Sequence, residues 1–142
     1  MKGLLWLGDD QLSSHYPEID GHKLTDFIHE LPFYLGNVMK YAWRAPYKGG
    51  IDDTLKLMDY LGMARKSWVG YSLSDEAVKH LSKISSYDFY SHHEGLEKAH
   101  RRCIRYVADL VIESDECEEM DDYSEKSLAL NVGALQVELM HK

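Results

Sequence analysis

Two helical segments joined by a short basic turn constrain the fold of this chain more than any other feature. The first segment, residues 33–44, follows a proline, and the second, residues 51–66, opens with two aspartates that suit the positive end of a helix dipole. Between them lies the sequence Pro-Tyr-Lys-Gly-Gly, residues 46–50. We expect Pro46 to end the first helix, because proline disfavours helical geometry in the residue before it, here Ala45. The pattern predicts two helices joined by a tight turn.

Helical periodicity dominates the rest of the chain as well. The predicted helices cover residues 24–30, 33–44, 51–66, 74–84, 94–113 and 124–142. The stretches expected to be irregular are residues 1–23, 85–93 and 113–122. Because no run alternates apolar and polar residues with a period of two, we predict an all-α, compact multi-helix domain of about five to six helices.

Apolar spacing predicts which helix faces are buried. In the helix over residues 51–66 the apolar set is Ile51, Leu55, Met58, Leu61 and Gly62. Two later helices carry heptad-like seams, made of Leu96, Ala99, Cys103, Tyr106 and Leu110 in one and Leu128, Val132, Leu135 and Leu139 in the other. These seams either pack on each other or form a subunit interface, and we expect the protein to be a homo-oligomer.

Composition excludes several classes of protein. The 142 residues fit one domain, and the net charge of −8 argues against general nucleic-acid binding and membrane-surface attachment. No apolar run approaches the roughly 18 residues of a transmembrane helix. The apolar run near the N-terminus is short and is followed by two aspartates, so we do not expect a secretory signal. The cysteines, Cys103 and Cys117, lack metal-type spacing. We therefore expect a cytoplasmic protein and a buried, unreactive Cys103.

A concentrated cluster of cations stands out in this acidic chain. One side of the first long helix carries Asn37, Lys40, Tyr41 and Arg44. Two further cations follow in the sequence, Lys48 in the turn and Lys56 in the second helix. A guanidinium matches phosphate oxygens with two parallel hydrogen bonds, whereas lysines act as point charges. The cluster predicts a site for a small anionic ligand. The bland alternative is a solvated helix face on which Arg44 pairs with Asp52 or Asp53.

Familiar nucleotide and metal motifs are missing from the sequence. There is no GxxxxGK[ST] loop, no GxGxxG turn and no HExxH. Two groups of residues could bind a divalent metal. One is His93, Glu97 and His100 on a helix face, and the other is the acidic set Asp52, Asp53 and Asp59, with Mg²⁺ as the candidate. The alternatives are ordinary surface residues in the first group and helix-dipole contacts with an Asp52–Lys56 pair in the second.

Part of the chain resembles a known family. The residues that carry the resemblance are His15-Tyr16, Asp26-Phe27-Ile28, Phe33, Gly36-Asn37-Val38-Met39-Lys40-Tyr41, Arg44-Ala45, Lys48-Gly49, Asp52-Asp53, Lys56 and Tyr60-Leu61. They resemble a small domain of tailed phages, long labelled as of unknown function, that includes a nucleotide kinase without a P-loop. The usual pattern has Leu and Ala where this chain has Asp53 and Leu57. The resemblance covers residues 15–62. We therefore divide the single domain into a motif region, residues 15–67, and a helical C-terminal extension, residues 68–142.

The resemblance implies an oligomeric all-α protein that acts on (deoxy)nucleotides. The residues it implies for catalysis are Arg44, Lys40 and His15. Those implied for substrate binding are Asn37, Tyr41, Lys48, Lys56 and Tyr16. Asp52 and Asp53 are the candidates for holding Mg²⁺, and a nucleoside triphosphate would be the phosphate donor. A basic cluster can serve phosphoryl transfer without a Walker loop, because catalysis there is mostly positioning and charge stabilisation. His15 would relay a proton or form a transient phospho-adduct, or else be structural.

Three functions are therefore expected, in this order. The first is a phage nucleotide-binding protein that works as a nucleoside monophosphate kinase-like phosphotransferase. The second is a non-catalytic module that sequesters nucleotides or engages a host protein. The third is an all-α nucleotide pyrophosphohydrolase, which ranks last because no Glu-x-x-Glu set accompanies Asp52, Asp53 and Asp59.

Overall fold

A computed structural model describes residues 16–142, and within this range the chain is all-helical, with no β-strand. The helices are α1 (Phe33–Arg44), α2 (Ile51–Lys66), α3 (Asp75–Ile84), α4 (Asp88–Ser91), α5 (Gly95–Glu113) and α6 (Asp122–Met140). Two short 3₁₀ turns, Leu24–Asp26 and Ile28–Glu30, precede α1. The predicted all-α class is confirmed.

Most helix boundaries follow from residues at their ends. α1 and α2 span the predicted residues, and α3 begins at its predicted cap, where the Ser74 hydroxyl accepts a hydrogen bond from the Ala77 amide at 3.1 Å. α6 is capped in the same way by Asp121, whose carboxylate accepts from the Ser124 amide at 2.8 Å. The predicted irregular stretch at residues 85–93 was wrong in part, because it contains α4.

The end of α1 differs from the prediction in an informative way. Ala45 keeps helical dihedral angles (φ −47°, ψ −48°), so Pro46 does not end the helix by excluding them. Proline instead lacks the N–H that would donate to the carbonyl of Ala42, four residues back. His100 of α5 supplies the donor: its Nε2 lies 3.0 Å from the Ala42 oxygen and 2.9 Å from the Trp43 oxygen. Because both neighbours are acceptors, Nε2 carries the proton.

The buried face of α2 is the predicted one only in part. Leu61 is buried, and Ile51 and Met58 pack against the core as predicted. Leu55 is 52% exposed and Gly62 is exposed, whereas Leu57 and the polar residues Asp53 and Thr54 are fully buried. Asp53 pairs with an arginine of α1, and the Thr54 hydroxyl accepts a hydrogen bond from Gln136 of α6 at 2.9 Å. Polar partners on neighbouring helices therefore determine how α2 is rotated against the core.

α5 is the central helix of the packing. It contacts α1, α3, α4 and α6, while α1 packs on α2 and α2 also reaches α6. The two predicted heptad seams meet each other here, since Cys103 and Leu110 of α5 and Leu128 and Leu135 of α6 are fully buried in one core. The seams are thus used inside the chain, and the predicted homo-oligomer needs another surface.

Residues 16–23 are held against the helices by polar contacts. The Trp43 indole donates to the Pro17 carbonyl at 2.8 Å, and Arg101 of α5 makes two hydrogen bonds to Asp20, at 2.7 and 3.1 Å. Asp20 has a positive φ of 51° and precedes Gly21, so the chain reverses there and Ile19 bridges to His22.

Cys103 of α5 lies in the hydrophobic core, and burial raises its thiol pKa to about 12, as expected for an unreactive cysteine. Among the helices described, none has the length and apolarity that crossing a membrane requires.

Candidate functional site

The turn between α1 and α2 is built around a buried ion pair. Arg44, the last residue of α1, donates to both carboxylate oxygens of Asp53, from Nε at 2.9 Å and from a terminal nitrogen at 3.1 Å. The Gly49 amide donates to the same carboxylate at 3.1 Å. This arrangement is the alternative in which Arg44 pairs with an aspartate of α2, and the structure selects Asp53, whereas Asp52 is exposed.

Tyr16 completes the surroundings of the arginine. Its hydroxyl accepts a hydrogen bond from Arg44 at 3.1 Å, and both side chains are buried. Burial by itself would lower the pKa of Arg44, but the hydrogen bonds to Asp53 and Tyr16 outweigh this effect and raise it. Arg44 therefore stays charged, and most of its charge is neutralised by Asp53.

Three cations converge on the ring of Tyr41. The Arg44 guanidinium carbon lies 4.7 Å from the ring centroid, and the ammonium nitrogens of Lys40 and Lys56 lie 5.0 and 5.5 Å from it. Tyr60 of α2 stacks on the same ring, with centroids 5.7 Å apart and planes 15° apart. We call these five residues the Tyr41 cluster. Cations near an aromatic face are attracted by its quadrupole, so the ring helps to hold like charges close together.

Burial gives the members of the Tyr41 cluster different accessibility. Tyr41 is 8% exposed, and this burial raises its hydroxyl pKa, although the Arg44 charge opposes the rise. Lys56 is exposed and Lys40 is partly exposed, whereas Arg44 is buried like Tyr41. The two lysines are thus the members best placed to meet an anion from solution.

The remaining predicted site residues are more scattered. Asn37 is 4% exposed, and its amide donates to the Phe33 carbonyl within α1 at 3.0 Å. Lys48 is exposed in the turn after α1. The prediction for His15 falls outside the described residues. The assignments of these residues to substrate binding or catalysis stay predictions.

An aromatic strip extends from the Tyr41 cluster along α1 and α2. The predicted site residues did not include this strip. Phe33, Tyr34 and Tyr60 lie with their ring centroids 5.7 to 6.2 Å apart. Phe33 is 58% exposed. The spacing did contain a signal, because Tyr60 follows Lys56 by four residues and so shares its helix face. Base-stacking surfaces in proteins are made of such rings.

The metal hypotheses find little support in the described part of the chain. No group of three or more His, Cys, Asp and Glu side chains is positioned there to hold a metal ion. His93 pairs with Glu97 at 3.1 Å, but His100 is 3% exposed and bonds to carbonyls of α1, so the trio does not assemble. Asp53 is bound to Arg44 and Gly49, which separates it from Asp52.

Comparison with known proteins adds one family. Residues 11–62 match the profile of DUF3310, described as a protein of unknown function. The matched segment contains the whole Tyr41 cluster together with Asp53 and Gly49, and it covers less than half of the chain. No curated protein and no solved structure matches the chain.

Proposed function

We propose that this protein binds (deoxy)nucleotides at the Tyr41 cluster and acts as a phage-encoded, nucleoside monophosphate kinase-like phosphotransferase in the host cytoplasm. The observation that carries the proposal is the convergence of Lys40 and Lys56 on one aromatic ring in a protein of net charge −8. The phage origin and the kinase activity rest on the family resemblance of residues 15–62.

The arrangement of charges and rings supports a nucleotide as the anion. Lys40 lies seven residues after Phe33, which is about 10 Å along the axis of α1. An extended nucleotide spans such a distance, with its base on the Phe33–Tyr34–Tyr60 strip and its phosphates at Lys40, Lys56 and Lys48. Arg44, already paired with Asp53, would act mainly by holding Tyr41 and the turn in place.

Phosphoryl transfer also needs a donor and a divalent ion, and both are part of the proposal. A nucleoside triphosphate would bring Mg²⁺ with it, since this ion is commonly held by substrate phosphates and only one or two carboxylates. The exposed Asp52, at the first turn of α2, is the described carboxylate nearest in sequence to the turn that is not bound to Arg44.

Lysine variants test the binding site. We expect Lys56→Ala to weaken nucleotide binding about fivefold, and Lys40→Ala with Lys56→Ala to weaken it at least about tenfold, because each exposed charge contributes roughly 1 kcal/mol. Lys66→Ala, which removes an exposed lysine at the other end of α2, is the matched control and should bind as the wild type does. Isothermal titration with nucleoside mono-, di- and triphosphates measures the affinities. Unchanged affinity in the double variant would reject the site.

Arg44→Ala is a poor test by itself, because it leaves the Asp53 carboxylate buried without its partner. Breaking a buried ion pair from one side costs about 3–5 kcal/mol, whereas replacing both partners with apolar residues is often tolerated. The double variant Arg44→Met with Asp53→Leu is therefore the better test, because its nucleotide affinity can be compared with that of a wild type of similar stability.

Product analysis separates the three functions. Transfer of the γ-phosphate to a deoxynucleoside monophosphate would support the kinase, and release of pyrophosphate would support the pyrophosphohydrolase. Tight binding without turnover would support the non-catalytic module, whose partner is a nucleotide or a host protein. A ligand that binds only the folded state also raises the melting temperature, so a thermal-shift screen is the first step.

A further inference from the structure

Helix α6 has a second apolar face that points to solvent. Its exposed large side chains are Tyr123, Leu130, Val137 and Met140, which are 79, 78, 53 and 73% exposed. The first three are separated by seven residues each and therefore form one stripe along the helix. The stripe lies on the side of the helix opposite Leu128 and Val132, which face the core.

The charge pattern of α6 shows that this face differs from an ordinary surface. Residues 127–137 contain no Asp, Glu, Lys or Arg, although such residues make up 28% of the protein. A helix with one face in the core normally carries charged residues on the other. Charges return only near the two ends of α6, with Asp122, Glu125 and Lys126 before the uncharged stretch and Glu138 after it. An exposed apolar surface with a charged border is typical of a protein–protein contact.

We propose that this stripe is the interface of a homodimer in which α6 packs antiparallel against α6 of a second copy. A two-fold axis level with Val132 brings Lys126 of one copy opposite Glu138 of the other. The same axis places the bulky Leu130 opposite the small Ala134, so the surface is complementary to itself in volume as well as in charge.

Charge and symmetry favour a second copy of this chain, in the antiparallel orientation, as the partner of this face. A parallel pair would place Asp122 against Asp122 and Lys126 against Lys126, and like charges in such positions are destabilising. An antiparallel pair also opposes the helix dipoles, which is favourable. A different protein would have no reason to match the internal symmetry of the α6 sequence, whereas an isologous dimer requires it.

The interface does not depend on nucleotide binding and lies outside the segment matched by the family profile, which ends at residue 62. A single helix pair buries less than the roughly 1,600 Å² of a standard interface. We therefore expect a reversible dimer whose dissociation constant is in the micromolar range.

Sedimentation velocity of the intact chain tests the dimer. The wild type should show a concentration-dependent species of twice the 16.4 kDa chain mass. Leu130→Glu should raise the dimer dissociation constant by at least about 30-fold, the effect of losing a central interface residue. Leu55→Glu, which alters a comparably exposed leucine on α2, is the matched control and should leave the dimer intact. Circular dichroism and melting temperature establish that each variant is folded.

A charge exchange tests the orientation. Lys126→Glu should weaken the dimer because it places two carboxylates opposite each other, and adding Glu138→Lys should restore it. A wild type that stays monomeric up to about 100 μM, well above the micromolar range expected for an interface of this size, would overturn the proposal. A folded Leu130→Glu variant that dimerises normally, or a double exchange that fails to restore the dimer, would overturn it as well.

Discussion

Gly49 has no room for a side chain, and this fixes the ion pair of the turn. A Cβ built on Gly49 would lie 2.0 Å from Oδ1 of Asp53, whose carboxylate is itself held by Arg44. Because Asp53 is 1% exposed, it cannot swing into solvent to relieve the contact. A glycine here allows the carboxylate to accept a backbone hydrogen bond and a two-point contact from the guanidinium together.

We expect Gly49→Ala to lower the free energy of unfolding by about 1–3 kcal/mol, as overpacking in a buried site does. Gly62→Ala is the matched control, since Gly62 lies inside α2 with no atom within 4 Å of its Cβ position. The control should raise stability by about 0.5–1 kcal/mol through helix propensity. Urea unfolding measures both, and equal shifts in the two variants would contradict this account of Gly49.

At the scale of elements, the helix boundaries were predictable, but the rotation of α2 was predictable only in part: Ile51, Met58 and Leu61 face the core as expected, whereas Leu55 does not. Capping serines, prolines and terminal charges are local signals, and they located α1, α2 and α3 from the sequence. The buried face of α2 depends instead on Asp53 and Thr54, polar residues that an apolar pattern assigns to solvent. Their partners lie on α1 and α6, and the sequence of α2 holds no information about these contacts.

The site was predictable to a similar degree. Lys40, Arg44 and Lys56 were expected in one basic cluster, and their approach to the Tyr41 ring agrees with it. The choice between Asp52 and Asp53 as the partner of Arg44 depended on helix phase, which changes by 100° between neighbouring residues. The aromatic strip could not be predicted from the sequence, because its rings come together only where α1 and α2 pack against each other.

The contact between α5 and the end of α1 gives the protein a predictable response to acid. Burial lowers the pKa of His100 to about 4, although its hydrogen bonds to the Ala42 and Trp43 carbonyls oppose the shift. The ordinary pKa near 6.5 applies in the unfolded chain, so between these values the unfolded state binds more protons. The stabilisation is complete above pH 6.5 and is lost as the pH falls to about 4. Its full size is on the order of 3 kcal/mol.

His100→Gln should remove this titration while keeping a donor for the carbonyls. The free energy of unfolding, measured in urea from pH 7 to pH 4, should fall less steeply in the variant than in the wild type. Burial also lowers the pKa of His22, which therefore adds a slope of the same sign in both proteins. Parallel pH profiles would show that His100 does not titrate as described.

At the scale of the whole molecule, the segment matched by the family profile shares its core with the rest of the chain. Trp43 of α1 is fully buried, and α1 packs on α5 as well as on α2. α2 is tied to α6 by ion pairs from Arg65 to Asp122 and Glu125. Residues 68–142 therefore cover surfaces that the hairpin cannot bury by itself.

A fragment of residues 1–67 should fail to fold cooperatively, because a small helical hairpin with an uncovered tryptophan buries too little apolar surface to offset its conformational entropy. Far-ultraviolet circular dichroism during thermal unfolding tests this. The full chain should show a sigmoidal transition, and the fragment a gradual one. A sigmoidal transition in the fragment would mean that the hairpin is an independent domain.

The hydrogen bond from His100 also makes the residues tolerated at positions 46 and 100 depend on each other. Pro46 removes a backbone donor inside the matched segment, and a side chain from outside that segment replaces it. A change at position 100 that loses the donor leaves the Ala42 carbonyl without it as long as position 46 is proline, whereas another residue at position 46 could supply an N–H to that carbonyl. Substitutions at the two sites are therefore not independent, and their effects on stability should not add.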